Sequence, residues 1–320
     1  MTTYKEIKGQ LIRSVSSDPA NPQVGEIWYN NTIGVLKGYQ TIDAAWASGG
    51  NLTNARRLMG GNGTQTAALT FGGSVPPGPG VPSATVNTTE EYNGSTWGPG
   101  GNLGTARYGL AGIGLQTAAL GFGGAAATVL KTETEEYNGS SWSEQNNLST
   151  ARRALSGCGT QTAGLAFGGT PPTSNATEEY DGSSWTSGGN LNTARSYLAG
   201  AGTQTVGLAF GSPNHTEEYN GTSWTTVNNM NTGRSQLGGD GLQASAIAFC
   251  GSRTTATELY DGTNWATSAS TSTARSELSG AGADNTLALV FGGENAGAGE
   301  LDATEEFTGA FNAARTLTTS

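Results

Sequence analysis

The chain has one histidine, two cysteines and three methionines in 320 residues, and only 12% of it is charged. A single histidine, His215, cannot build a copper or zinc site of several imidazoles, nor supply a Ser-His-Asp set on its own. The two cysteines, Cys158 and Cys250, fall at opposite ends of their sequence units, so they are not expected to bridge, and the fold does not rest on disulfides. Fifteen Lys and Arg face 25 Asp and Glu, a net charge of −10, which argues against binding a phosphate backbone. No apolar run approaches the ~18–20 residues that span a membrane, and no basic-then-apolar start marks a secretory signal.

Glycine is abundant instead, with 51 residues, and it recurs at fixed spacing, which argues against disorder. Aromatic–Arg pairs repeat along the chain: Trp46–Arg56, Trp97–Arg107, Trp142–Arg152, Trp185–Arg195, Trp224–Arg234, Trp265–Arg275 and Phe311–Arg315. The first six share a step of 10 residues and the last a step of 4. Such a period means one supersecondary unit stacked many times.

The unit reads as four strands. Asn-Gly or Asp-Gly at 93–94, 138–139, 181–182, 220–221 and 261–262 marks a tight hairpin. A Gly-x-Gly before Gln-Thr marks another. Between them, the second strand alternates in period 2, with Leu69, Leu120, Leu165, Leu208, Ile247 and Leu289 on one face with the phenylalanines two residues on. The first strand is Gly-, Ala- and Ser-rich, as a crowded position near an axis requires. Four-stranded antiparallel sheets arranged radially form a β-propeller. The run of Arg, strand, Phe-Gly-Gly, Glu-Glu-Tyr-Asn/Asp-Gly and Trp resembles the kelch module over residues 55–312. It departs at Gly211-Ser212, Cys250-Gly251, Leu259 and Phe311.

Six modules (about 55–97, 106–142, 151–185, 194–224, 233–265 and 274–311) but seven Arg positions suggest a seven-bladed, all-β ring. The last blade would be a composite of residues 24–46 and 313–320, leaving 1–22 as an N-terminal arm for docking. Joining both termini in one sheet would remove free edges. The alternative is a six-bladed ring with the N-terminal hairpins apart.

The acids Glu90/Glu91, Glu135/Glu136, Glu178/Glu179, Glu217/Glu218, Glu258 and Glu305/Glu306 recur with the arginines. They read as inter-strand and inter-blade pairs rather than as an ion site. The Trp and Arg sets read as structural, and neither a catalytic residue nor a metal or cofactor is expected. Length varies almost only between the second and third strands: Phe to Tyr (Phe307 in the last unit) is 21, 15, 13, 9, 11 and 16 residues, while Tyr to Trp stays at 5. These loops share one face, and recognition lives on loops held by a rigid scaffold. The candidate binding residues there are Pro77, Val81, Lys131, Pro172, Asn175, His215, Arg253, Glu294 and Asn295.

The stretch from Pro22 to Lys37, with Gly25-Glu26-Ile27-Trp28-Tyr29-Asn30, resembles segments near the N-termini of bacteriophage virion proteins, often tail-associated ones. That resemblance implies a non-enzymatic virion component used for assembly, host-surface adhesion or both. Its partners would be other virion proteins and a host receptor, without nucleic acid or membrane insertion, in a particle assembled in the host cytoplasm. A cellular kelch-type interaction scaffold is the alternative, and a carbohydrate-binding or oxidase propeller a remote one.

Overall fold

The computed structural model describes residues 12–76, 84–297 and 299–317. Among these the regular structure is all strand. The chain divides into two compact units, Trp46–Thr308, and Met1–Ala45 with Gly309–Ser320.

The larger unit is a propeller of six four-stranded antiparallel blades. Blade 1 consists of Gly60–Thr64, Ala67–Phe71, Thr89–Tyr92 and Trp97–Pro99, from axis to rim. Blades 2 to 5 repeat this order from the inner strands Ala111–Leu115, Ser156–Thr160, Ala199–Gly202 and Gly238–Leu242. Blade 6 has Ser279–Asp284, Leu287–Phe291 and Thr304–Thr308, and borrows Ala45–Ser48 as its outer strand. Each inner strand neighbours the next, and the sixth neighbours the first.

The blades interlock because bulky faces meet small ones. A Cβ on Gly112 would lie 2.6 Å from Phe71 Cζ, and one on Gly61 would lie 2.7 Å from Phe291 Cζ. Only glycine permits that approach. The rim tryptophan of each blade packs on the phenylalanine of the blade before it, as Trp142 does on Phe71 with centroids 4.6 Å apart. Its indole N–H donates to that blade's threonine, as Trp142 Nε1 does to Thr89 Oγ1 at 3.0 Å. The Asn-Gly turns form as expected: Asn93 Oδ1 accepts the Thr96 amide at 2.9 Å, and Gly94 takes φ +88°.

The repeated charges also resolve into architecture. Arg107 is fully buried and donates to the Gly123 and Glu133 carbonyls and, at 2.8 Å, to Glu135 Oε1. Burial pushes the Arg107 pKa down, and the Glu135 carboxylate beside it pushes back. Arg56–Glu90, Arg152–Glu178, Arg195–Glu217, Arg234–Glu258 and Arg275–Glu305 repeat the pair. The second acid of each module accepts a tyrosine hydroxyl from the following blade, as Glu91 does from Tyr137 at 2.6 Å. Blade 5 carries Leu259 instead of that acid, and blade 6 carries Phe307, which has no hydroxyl to place.

The blade count differs from seven. Trp46 Nε1 donates to Thr257 Oγ1 at 3.1 Å, and its ring packs on Phe249. Trp46 is therefore the sixth blade's rim tryptophan, and the ring closes without another blade. Its 10-residue step to Arg56 arises because every rim strand leads into the next blade's arginine. Phe311 does not replace a blade tryptophan; it is half exposed in the smaller unit. Arg315 is not a blade arginine either, and pairs in register with Gly38.

In the smaller unit a four-stranded sheet joins strands from the N- and C-terminal regions, in the order Arg13–Val15, Ile27–Asn30, Val35–Ile42, Phe311–Thr316; residues 318–320 of the expected composite lie outside the described residues. The C-terminal strand pairs with Val35–Ile42, and Arg13–Val15 adds in parallel on the other side. Part of the expected 1–22 arm is thus sheet; residues 1–11 lie outside the described residues. Trp28 is fully buried here. Asp18 collects its indole N–H at 3.1 Å, the Asn30 amide at 2.9 Å and the Lys37 ammonium at 2.5 Å. These bonds hold Asp18 down at about 2. Within the Gly-Glu-Ile-Trp-Tyr-Asn stretch, Ile27–Asn30 is a strand of this sheet, with Trp28 and Asn30 buried and Tyr29 exposed.

Candidate functional site

The two ends of the ring differ. One carries tight turns, with Asn-Gly or Asp-Gly between the third and fourth strands of blades 1 to 5, whereas in blade 6 the third strand ends at Thr308 and the outer strand is Ala45–Ser48. The other carries the loops between second and third strands, three of which form small hairpins: Ser74–Val75 with Ala84–Thr85, Ala125–Ala126 with Val129–Leu130, and Glu294–Asn295 with Gly299–Glu300.

At the loop end, six residues encircle the axis. Each sits two positions after a buried arginine: Leu58, Gly109, Ala154, Tyr197, Gln236 and Glu277. All take positive φ, between 52° and 64°. Only Gly109 adopts that region freely, so five side chains are held in strained backbone. Their amides form a closed cycle. Gly109 N donates to Leu58 O, Ala154 N to Gly109 O, Tyr197 N to Ala154 O, Gln236 N to Tyr197 O, Glu277 N to Gln236 O, and Leu58 N to Glu277 O, at 2.7–3.1 Å. The cycle offsets the strain and fixes the collar.

Within the collar lies a cavity of about 380 Å³, lined by the inner strands of all six blades. Its walls are rich in Gly and Ala, and two polar side chains, Asn62 and Asp240, occupy matching positions on the inner strands of blades 1 and 5. Asn62 is 3% exposed, and neither amide atom has a partner among the described residues. Asp240 accepts the Gly241 amide at 2.7 Å, and burial pushes its carboxyl up to about 7. Blades 2, 3, 4 and 6 place Ile113, Cys158, Ala201 and Ala281 at the same position.

The collar is electrostatically lopsided. On the side of blades 5, 6 and 1, Arg57 Nη1 meets Glu277 and Glu294 at 2.8 Å each, and its Nε meets Glu300 at 3.3 Å. Arg253 adds a 2.7 Å bond to Glu294, and Gln236 one of 2.8 Å to Glu277. Burial raises the Glu277 pKa, against the pull of Arg57. On the side of blades 2 to 4, Arg153 lies over the Tyr108 ring at 5.4 Å.

The sequence-selected residues disperse. Arg253 and Glu294 do come together at the collar. Lys131 is tied to Glu133 at 2.7 Å, Asn175 donates to the Leu191 carbonyl at 3.2 Å, and Pro172 is exposed. His215 serves through its backbone carbonyl, which accepts Arg195 at 2.8 Å. Asn295 pairs with Gly299 in its hairpin, and Pro77 and Val81 lie outside the described residues. Sequence reasoning missed Arg57, Tyr108, Arg153, Tyr197 and Glu277. Their signal was the pair of residues directly after each buried arginine, where the repeat varies in chemistry but not in length. Both cysteines are free and buried, and burial raises their thiols to about 12 (Cys158) and about 11 (Cys250), which disfavours the thiolate.

No family model matches the chain, and no curated protein matches it. Among solved structures it is similar to that of YjhT, with a TM-score of 0.65 and 11% identity over 82% of this chain and 99% of that one. At that identity the likeness shows the propeller fold alone.

Proposed function

We propose that the protein is a non-enzymatic bacteriophage virion component in which a kelch-like propeller serves assembly, host-surface adhesion or both. The carrying observation is the division of labour in the chain. Blades 1 to 5 keep short turns at one end of the ring, and the ring concentrates loop length, side-chain variety and charge asymmetry at the other. Strands from both the N- and C-terminal regions form a second unit, which contains the Gly25–Asn30 stretch that resembles virion proteins. In this reading the loop end recognises and the terminal sheet attaches the protein to other virion proteins.

The test is quantitative mass spectrometry of purified particles from the source. A ratio proportional to the major capsid protein assigns a shell role. A low multiple of three or six assigns a tail role. Absence from particles sinks the virion reading and leaves a cellular interaction scaffold.

A further inference from the structure

The six-fold repeat lets one blade serve as a control for another. Arg57 and Arg153 occupy the same position, directly after the buried arginines Arg56 and Arg152. Each is also pinned alike by its own backbone: Arg57 exchanges amide and carbonyl bonds with Ser74, and Arg153 with Thr170. Arg57 points at three carboxylates contributed by the preceding blade. Glu277 comes from the collar, and Glu294 and Glu300 are paired across the small hairpin.

The blade preceding Arg153 has a corresponding hairpin, one residue shorter, with Ala125 paired to Leu130. Ala125 and Glu294 both directly follow Phe-Gly-Gly, and each bridges the residue after its own blade's buried arginine: Tyr108–Ala125 and Ser276–Glu294. The counterparts of Glu277, Glu294 and Glu300 are therefore Gly109, Ala125 and Leu130, none of them an acid. Among the described residues Arg153 has no carboxylate partner.

The guanidinium is nonetheless held in place. A Cβ on Gly109 would lie 3.3 Å from Arg153 Cβ and 3.9 Å from its Cδ, so the glycine makes room for the stem. Tyr108 covers the head, and its own hydroxyl is fixed to the Ala127 carbonyl at 3.0 Å. Stacking on a ring occupies the face of a guanidinium and leaves its in-plane N–H edge for bidentate contact with an anion. Tyr197 stands beside it on the collar, its amide bonded to the Ala154 carbonyl.

We infer that Arg153, with Tyr108 beneath it, is a binding site for a carboxylate brought by a ligand, filling the place that Glu277, Glu294 and Glu300 fill for Arg57. The carboxylate comes from an acidic peptide segment or from a free carboxylic acid. The inference rests on the reading of the loop end as the recognition surface and names the chemistry it recognises.

The experiment is isothermal titration of the full chain with two probes, a capped alternating glutamate–glycine pentapeptide and succinate. Binding of the peptide alone assigns the site to protein partners, and binding of both assigns it to free acids as well. Arg153→Gln should weaken binding by about tenfold or more, the loss of a charge-assisted, bidentate contact. Leu130→Glu, which copies Glu300 into blade 2, should block the site from within and leave the fold intact. Added salt should weaken the interaction. Failure of both probes to bind, or binding indifferent to Arg153→Gln and Leu130→Glu, would overturn the inference. Particle composition is measured separately, so loss of this site would leave the virion reading standing.

Discussion

The Leu58 amide donates to the Glu277 carbonyl at 2.8 Å, and that bond joins the first blade of the ring to the last. Gln65 crosses the same seam to the Ala288 carbonyl at 3.2 Å, and Trp97 crosses it to Thr304 Oγ1 at 3.0 Å. The seam between blades 6 and 1 is thus bonded as the other five are, although its two sides are far apart in sequence.

The rim strand that completes blade 6 hangs on Trp46. Its indole also donates to the Ala269 carbonyl at 3.0 Å, and its ring contacts Phe307 at 5.1 Å. Trp46→Ala should cost about 3 kcal/mol or more, the usual result of truncating a packed aromatic. Trp46→Phe should cost about 1 kcal/mol, mainly the lost hydrogen bonds. Urea denaturation of the two variants checks both values.

Removing one member of a buried ion pair strands the other. Arg195 and Glu217 are each about 1% exposed, and Arg195 also satisfies the Gly211 and His215 carbonyls. Arg195→Met should destabilise by about 3–5 kcal/mol. The double variant with Glu217→Leu should cost less than the sum of the single ones, because the stranded charge goes with it. A double-mutant cycle in denaturant reads the coupling.

Asp240 gives the ring a pH dependence. Its carboxyl is raised from 3.8 to about 7 by burial, so between those values the folded chain keeps a proton that the unfolded chain has lost. Stability should therefore fall as pH rises from about 4 to about 7. Asp240→Ala, which copies Ala201 and Ala281, should flatten that slope and raise the melting temperature at pH 8. An unchanged slope would remove Asp240 as its source.

Asp18 gives the terminal sheet the opposite dependence. Its pKa is lowered from 3.8 to about 2 by bonds from Lys37, Asn30 and Trp28. Its contribution is complete above about pH 4 and is lost as pH falls towards 2. Fluorescence of the buried Trp28 should report this transition, and Asp18→Asn should weaken the sheet already at neutral pH.

Much of the ring was legible because its physics repeats. The Asn-Gly turns, the Phe-Gly-Gly ends of the second strands and the six Trp-to-Arg steps each follow from one geometric demand met in every blade. The matched loss of the acid at Leu259 and the hydroxyl at Phe307 shows the same economy. Blade number was misread at the seam. A tryptophan at the start of a repeat array can belong to the blade at its end, and a single Arg315 near the terminus looked like another beginning. The collar was hidden for a different reason. Leu58, Ala154, Tyr197, Gln236 and Glu277 have nothing in common as side chains, and what unites them is a positive φ and a backbone bond to the neighbouring blade. Arg153 could be recognised only once Arg57 showed which partners it lacks.

In the proposed function the ring binds and the terminal sheet attaches. The most direct test is incorporation of the fragment 46–308 into particles, measured by quantitative mass spectrometry beside the full chain, with its melting curve recorded. The fragment should melt cooperatively near the temperature of the full-length ring and be missing from particles. A folded fragment incorporated at the full chain's ratio would contradict the account.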